Sequence, residues 1–593
     1  MAKAPTVLFP KYKPDQNEPG EDYSAVIQNV VPRVEGYGPW QMLVAFTSAL
    51  PGPCRGYFYG RNPDGSITVF AATATNLYAL SNTTFTWTAI SAGGTPYASV
   101  ASTSNWQFLQ FEATVLAVQA NVTPQAITLP VSGNFAALGG SPPAAGCITA
   151  INGFIVLSEI TGSVNRVQWC DLYNITTWTA GVGFADFQDL PDGGAVHGLS
   201  GGDNYGLVFQ DLCIRSFIYA PGSAVVFDIV RIAENDPLYA KYSIINTGEK
   251  TFYISAQGFK RIDPGGYPVQ IGKGRVDDYF KGDVDAAQLQ LVIGAADPAQ
   301  TRVYWAYKSN AGQAGLFDKI LCYDWSIGEG GEFSLILQSG EYIAALARPG
   351  LSLDALDAIA PTPLPVTGVA NNGSGNTRVT LSGGLFNASF TINGQNLIEI
   401  YGATGSTYIN SAIPNTANGA WQFQPGGGNP AAGKFTITSS TTIDLGVAFG
   451  AAWTGGGSIG GSLDALGFSL DSISSAAVAT LSAVSSLHAI GFFTGVNTDA
   501  ILETEEFDLE GDTIFCDTIR PLTDCSNALI SVVTRQSAQA PRVISAASGL
   551  DANGLGGVLV EGRYMRGRLE LPAGTTWTYA RGLQPKFEPA GEV

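Results

Sequence analysis

The sequence is poor in residues that several kinds of functional site require. Only two histidines are present, His197 and His488, and the seven cysteines are scattered and never fall in a CxxC spacing. This leaves little room for a histidine-rich metal site or a paired-cysteine zinc site. We therefore predict no metal site and no cofactor. The cysteines are interpreted as buried, reduced thiols.

Long apolar stretches are also missing. No run reaches the roughly 18 apolar residues that a membrane-spanning helix needs. The first residues, MAKAPTVLFPKYKPDQ, contain no apolar segment of the kind that signal peptides carry. The sequence thus predicts a protein that has no membrane span, is made in a reducing cytosol and stays soluble.

Positive charge is in short supply. Lysine and arginine number 30 against 49 aspartates and glutamates, which gives a formal net charge of −19. A protein that grips DNA or RNA tightly neutralises phosphates with a basic surface. Such a grip is therefore excluded as the main task, although nucleic acid nearby is not.

Catalytic motifs are absent or weak. The sequence has no GxSxG elbow, and Gly272-Lys273-Gly274 lacks the spacing of a phosphate-binding loop, so it is interpreted as a turn. His197 and His488 lie in strand-like, apolar-flanked segments and are interpreted as core or interface residues. Three sets of carboxylates keep a hydrolase open as an alternative. They are Asp277 and Asp278; Asp186, Asp189 and Asp192; and the acidic run from Glu503 to Asp512.

What the sequence does contain is strand pattern and turns. Glycine (72 residues) and proline (32) are frequent, and short apolar–polar alternations such as SITVFAATATNLYAL recur every 45–50 residues or so. Asp64-Gly65 and Asn152-Gly153 are hairpin turn signals. The spacing matches one four-stranded blade, so the sequence predicts an all-β propeller, with six blades favoured and seven allowed. Short helices are predicted within 275–290. Residues 472–487 also fit a helical period, but the flanking strands and the serine content favour a strand there.

One composition change indicates an inserted domain. Residues 362–461 contain only four charged residues, and the flanks repeat the same five letters, SLDAL, at 352–356 and 462–466. We interpret the segment as a small β domain inserted into a loop, where insertions are tolerated. The predicted organisation is an N-terminal platform segment at 1–50, a propeller at 51–361, the insert at 362–461, propeller completion at 462–500 and a C-terminal β platform at 501–593.

Four stretches carry a resemblance to a known family. They are LYAL followed by FTWT; GLVFQDLCIRSFIYA with YSIINTGEKTFYISAQGFKRI and RVDDYF; the SLDAL stretch; and VTRQSAQ followed by GRYMRGRLELPAGTTWTYARGL. In this order they resemble the tail nozzle proteins of short-tailed bacteriophages, also called tail tube or packaged-DNA stabilisation proteins. The insert, in INGQNLIEIYGATGSTYINSA, is similar to small β modules of phage tail proteins.

The resemblance implies a non-enzymatic virion protein, made in the host cytoplasm and located in the virion tail. Copies would form a ring, expected to be a hexamer, that retains packaged DNA and then lets it pass through the lumen without specific binding. Portal or adaptor proteins and tail fibre or needle proteins would be its neighbours. Two alternatives stay open: a carbohydrate-active propeller enzyme, and a host-binding adhesin with the insert as its ligand-binding module.

Two functional surfaces are predicted for a ring-forming protein of this kind. Glu506, Asp508, Glu510 and Asp512 alternate along one strand and form a candidate acidic channel face. The C-terminal segment combines arginine with aromatic residues, which are both enriched in interface cores. The candidate assembly interface is Arg563, Tyr564, Arg566, Arg568 and Trp577.

Overall fold

The chain is nearly all β and divides into two compact units. The first comprises Met1–Leu80, Thr86–Arg348 and Val478–Val593; the second comprises Ser81–Phe85 and Pro349–Ala477. The computed structural model describes residues 6–16, 23–82, 84–223, 225–328, 330–349, 364–381, 398–401, 421–425, 434–439, 441–448, 458–461, 478–508, 513–537 and 539–589.

The first unit contains a β-propeller, as the sequence predicts. Its blades are four-stranded antiparallel sheets made of successive chain segments. Tight hairpins join their strands where glycine or asparagine allows a positive φ, as at Gly65 (φ +84°) and at Asn152 and Gly153 (φ +45° and +82°). Both predicted turns are confirmed.

The first three blades follow one another between residues 57 and 189. Their strands are Tyr57–Arg61, Ile67–Ala72, Leu77–Leu80 and Trp87–Ala89 in blade one; Gln107–Phe111, Thr114–Gln119, Val122–Thr128 and Ala136–Ala137 in blade two; and Ala145–Ile151, Phe154–Ile160, Arg166–Trp169 and Asp186–Asp189 in blade three.

Blades four to six continue the same pattern. Their strands are Val196–Ser200, Tyr205–Gln210, Cys213–Tyr219 and Phe227–Glu234 in blade four; Ile245–Asn246, Thr251–Ser255, Gly258–Ile262 and Val269–Gln270 in blade five; and Ile293–Asp297, Arg302–Tyr307, Phe317–Asp324 and Glu332–Gly340 in blade six.

A seventh four-stranded sheet combines distant parts of the chain. Its order is Tyr342–Ala347, Ala479–Val484, Ile490–Asn497 and, at the outer edge, Gln41–Ala45. The number of blades, six favoured and seven allowed, stays a prediction. Because Ala347 pairs with Ala479, the second unit of the chain occupies a hairpin connection of this sheet. Both SLDAL repeats lie outside the described residues.

The platform is built from both ends of the chain. One sheet has the order Gly556–Gly562, Ile514–Thr523, Ala580–Pro589, Tyr37–Pro39 and Val30–Pro32, with Val7–Leu8 also paired to Ala580–Pro589. The other extends blade six from Glu332–Gly340 through Ile27–Gln28, Ala500–Glu503, Tyr564–Leu571, Leu529–Arg535 and Val543–Ile544. Three short pairings complete it: Phe507–Asp508 with Tyr564–Leu571, Ser548–Gly549 with Leu529–Arg535, and Lys11–Tyr12 with Tyr23–Ser24.

Among the described residues helical structure is scarce, and its longest segments lie where the sequence predicts helices. One α-helix, Asp277–Asp283, precedes a 3₁₀ segment at Ala286–Leu291. Both oxygens of the Asp15 carboxylate accept backbone N–H groups of the first helical turn, from Asp278 (3.1 Å) and Tyr279 (2.7 Å). Shorter 3₁₀ turns are Ala92–Gly94, Pro191–Gly193 and Lys241–Ser243. Within the part of the chain that the structure describes, no helix has the length and apolar character to span a membrane.

The core of this unit contains the cysteines. All seven are buried and unpaired, which confirms the interpretation of buried thiols. Burial raises the pKa of Cys54, Cys147 and Cys322 to about 12, so these thiols stay protonated at neutral pH.

The second unit is a closed barrel. Its strands follow the order Leu364–Asn371, Asn376–Leu381, Thr442–Ala448, Lys434–Ser439, Trp421–Pro425, Ile398–Tyr401 and Ser458–Gly461. Val379, Phe435, Ile443 and Leu445 are buried in it. Arg378 binds Asp444 through two hydrogen bonds of 2.6 and 2.9 Å.

Candidate functional site

The axis of the propeller is crossed by the chain's own side chains. The backbone N–H of Asn105, just before blade two, donates to the Tyr242 hydroxyl, just before blade five, over 2.7 Å. The Asn105 side chain also donates to the Gln290 carbonyl before blade six (3.2 Å). Two further blades separate blades two and five along the chain, so these bonds join parts of the propeller that are not consecutive. Asn105 and Tyr242 are both buried.

A second contact joins blade three to the same region. The Lys241 ammonium pairs with the Glu159 carboxylate, and the Cys147 thiol lies 3.7 Å from the same carboxylate. A Cβ on Gly146 would lie 2.0 Å from Glu159 Oε2, so only glycine leaves room for this carboxylate. The Cys147 thiol, kept protonated by burial, is a poor nucleophile. These groups therefore tie blade three to the segment that leads into blade five.

The platform holds a cluster of buried charges. The Arg535 guanidinium binds Glu506 with both ends of its fork, one at 2.7 Å, and Arg566 lies 3.4 Å from the same carboxylate. The Glu506 and Arg566 side chains are only 3% and 5% exposed. Next to them, Arg568 donates to Glu503 (2.8 Å) and to Glu570 (2.7 Å). Buried pairs of this kind hold strands in one register, because a lone buried charge is costly.

The predicted assembly interface is therefore largely wrong. Tyr564, Arg566 and Trp577 are buried, and the Arg568 side chain, 15% exposed, is paired on two sides. Only Arg563 of the five is partly exposed without an ion pair among the described residues. The alternating pattern correctly indicated a strand, Tyr564–Leu571. Its arginine face, however, lies against glutamates of a distant segment, which no local pattern reveals.

One residue of the predicted acidic channel face, Glu506, does not face solvent. Glu506 is buried and neutralised by Arg535 and Arg566 instead of facing solvent. The backbone of Asp508 pairs with Tyr564, but its side chain, like Glu510 and Asp512, lies outside the described residues.

The two histidines each bind a carboxylate. His197 Nε2 lies 2.6 Å from Asp211, and His488 Nδ1 lies 2.6 Å from Glu341. The other oxygen of Glu341 accepts the N–H of Cys54 (2.8 Å) in the segment that leads into blade one, so His488 and Glu341 tie blade seven to blade one. Both side chains are partly exposed. His197 lies in the strand Val196–Ser200 as predicted, whereas His488 (φ +64°) lies in the turn between Ala479–Val484 and Ile490–Asn497, so the strand prediction for its segment is wrong at this residue.

The carboxylates considered for hydrolysis do not converge. Asp189, on the outer strand of blade three, pairs with Arg166 of the neighbouring strand. Asp192 pairs with Arg215 and Arg231. Asp277 is buried, accepts the N–H of Phe259 (3.0 Å), and has a pKa raised to about 6, chiefly by burial. The neighbouring Asp278 is exposed. None of these groups lies at the propeller axis.

Several residues of these sites carry no signal in the sequence. Asn105, Glu159, Lys241 and Tyr242 come from three different blades, and their meeting depends on closure of the propeller. Arg535 ends an alternating segment, LISVVTR, that indicates a strand but not its partner. Their roles become visible only when the strand order is known.

Comparisons with known proteins give no family. No protein-family profile and no curated protein matches the chain. Among solved structures, the chain is similar to the computationally designed protein Ika8 (TM-score 0.30, 11% identity, 71% of this chain and 99% of that one). It is also similar to the Neurospora crassa Pan2 WD40 domain (0.31, 11%, 51% and 87%) and to a quinonprotein alcohol dehydrogenase-like protein of Bacteroides thetaiotaomicron (0.29, 13%, 48% and 66%). Likenesses this distant carry no argument about function.

Proposed function

We propose that this protein is a non-catalytic structural component of the tail of a short-tailed bacteriophage, where copies form a ring around the path of the DNA. The resemblance of four stretches to tail nozzle proteins motivates this proposal. The distribution of positive charge is the structural observation that supports it best.

Positive charge is neutralised within the chain. Of the 30 lysines and arginines, at least 17 form ion pairs with carboxylates of the same molecule. Few cations are then left to displace counterions from a DNA backbone, which is the step that makes binding tight. The excess of carboxylates suits a wall along which DNA slides.

The conduit in this proposal lies between chains. The bonds from Asn105 and Lys241 cross the axis of the propeller, so a DNA duplex cannot pass through a single chain. A ring of six copies would carry six times −19, or −114, and repel DNA over the roughly 8–10 Å Debye length of physiological salt. Portal or adaptor proteins would cover one end of the ring, and tail fibre or needle proteins the other.

Electron microscopy of particles that carry a tagged chain tests this proposal. We expect the label at a single capsid vertex, as a ring, and no tight binding of duplex DNA by the purified protein. Absence of the chain from particles would refute the proposal. Hydrolysis of a glycan by the purified chain would favour the enzyme alternative, and binding of the isolated barrel to host cells would favour the adhesin.

A further inference from the structure

The outer strand of the second platform sheet presents an unusual edge. The strand Val543–Ile544 pairs on one side with Leu529–Arg535 and is the last strand on that side of the described sheet. Val543 and Ile544 are 61% and 54% exposed. Exposed edge strands are normally protected by charge, proline or a covering element. Here Pro541 and the exposed Arg542 come directly before the strand, while the two apolar side chains themselves lie open to solvent.

Several arginines lie close to this strand, together with the carboxylates of Glu503 and Glu506. Arg535 and Arg563 both lie over the Tyr564 ring, at 5.1 and 5.8 Å from its centre, and Arg566 shares the single carboxylate of Glu506 with Arg535. Arg542 forms no ion pair within the described part of the chain. Partial burial, together with the nearby charges of Arg566 and Arg535, lowers its pKa. We call Arg542, Val543, Ile544 and Arg563 the arginine edge.

We propose that the arginine edge docks onto exposed carboxylates of a second copy of this chain. The inference rests on the proposed function, in which identical chains form a ring. Charge complementarity identifies the occupant: a chain of net charge −19 offers a surplus of carboxylates, and exposed ones such as Asp186 and Asp228 form no ion pair among the described residues. The contact joins two different surfaces, as a closed ring of more than two copies requires.

The composition of the edge fits such a contact. Arginine and tyrosine are enriched in the cores of protein interfaces, and Val543 and Ile544 add apolar area that would leave water. DNA is the other polyanion that arginines attract. The internal neutralisation of most basic residues, however, leaves this edge without the extended basic surface that a duplex needs.

The test uses the purified full-length chain and its Arg542→Glu and Val543→Asp variants. We expect the wild type to self-associate in sedimentation velocity. Each variant should weaken association at least about tenfold, because a reversed charge then faces carboxylates or an apolar contact is lost. Lys273→Glu, an equal charge reversal at an exposed lysine elsewhere, is the matched control and should associate like the wild type. Unchanged thermal melts would show that all variants fold.

Each other result overturns the inference in a recognisable way. Equal association of wild type and both variants would place the contact elsewhere while leaving the proposed ring intact. Binding of a duplex oligonucleotide that disappears in Arg542→Glu would make DNA the occupant instead. A wild type that stays monomeric would exclude self-docking through this edge, and the label at the capsid vertex would then decide separately whether the proposed function holds.

Discussion

The propeller and the platform differ in how far apart in the sequence their paired strands lie. Each of blades one to six is one contiguous segment, so its strands meet neighbours in the sequence. The platform instead pairs the two ends of the chain, with Val7 opposite Leu583 and Ile27 opposite Leu502. Blades can therefore form locally, whereas the platform requires nearly the whole chain to be present.

The two regions also treat charge differently. At the outer strands of the propeller, Asp192 is 58% exposed while it pairs with Arg215 and Arg231. In the platform, Glu506 is 3% exposed while it pairs with Arg535 and Arg566. Each of the two carboxylates pairs with two arginines. Water can reach the Asp192 carboxylate and solvate it, but it cannot reach Glu506. The comparison teaches that burial, not the number of partners, decides what each carboxylate contributes to stability.

The variant Glu506→Ala tests the role of burial with the largest expected effect. The change removes the buried carboxylate that pairs with Arg535 and Arg566, and breaking a buried pair in this way costs about 3–5 kcal/mol. We expect the free energy of unfolding from chemical denaturation to fall by that amount. Asp189→Ala, the matched change at the exposed pair with Arg166, should cost at most about 1 kcal/mol. Equal losses in the two variants would show that burial is not the deciding factor.

A buried carboxyl without an ion pair provides a third case. Burial, aided by the charges of Asp15 and Asp278, raises the pKa of Asp277 to about 6, above the roughly 3.9 of an unfolded aspartate. The folded protein therefore binds the extra proton between about pH 4 and 6, and stability falls as pH rises through that window. Asp277→Asn should remove this slope and stabilise the protein by about 1–3 kcal/mol at pH 8, with no gain below pH 4.

Denaturation midpoints measured from pH 4 to 8 would check this sign. Asp278→Asn, at the exposed neighbour, should follow the wild-type curve. A parallel pH dependence of Asp277→Asn and the wild type would mean that Asp277 is ionised throughout and that another group causes the slope.

The extent to which the sequence predicts this fold follows from the same contrast. Alternation and turn residues predict the blades, because a hairpin such as the one at Asn152-Gly153 depends only on its own residues. The scarce helix at Asp277–Asp283 and the strand Ala479–Val484 are also readable locally. The seventh sheet is not, since its outer strand, Gln41–Ala45, comes from a segment that local pattern assigns to the platform.

The site residues were harder to predict than the fold. Arg566 and Arg568 look like surface charges in an alternating strand, and only the pairing of Ala500–Glu503 with Tyr564–Leu571 shows that glutamates face them. Arg542 and the apolar pair after it carry no motif at all. A sequence pattern reports which side of a strand is polar. It does not report whether a partner segment turns that polar side into an interior.

The bonds across the propeller axis are expected to matter less than the platform cluster. Tyr242→Phe removes the hydroxyl that accepts the buried N–H of Asn105 and leaves this donor unsatisfied, which costs about 1–3 kcal/mol. Thermal and chemical denaturation measure the loss. Tyr579→Phe, at a hydroxyl-bearing ring that is 38% exposed, is the control and should be neutral. An equally neutral Tyr242→Phe would indicate that water reaches the axis.

The smallest effect on stability is expected from removal of the inserted barrel. Replacing residues 349–477 with a short Gly/Ser turn joins two strands that already pair, Ala347 opposite Ala479 and Tyr342 opposite Val484. Shortening a connection between paired strands does not raise the entropy cost of closing it, so the body should lose less than about 1 kcal/mol.

Calorimetry of this deletion variant distinguishes an independent unit from an integral one. The main unfolding transition should keep its midpoint, and only heat that belongs to the barrel should disappear. Circular dichroism of the separately expressed barrel should show β structure, since its strands close on one another in the order Leu364–Asn371 to Ser458–Gly461. Aggregation of the deletion variant, or a midpoint many degrees lower, would show that blade seven depends on the insert. Blade seven would then need a separate part of the chain in order to fold, as the platform does.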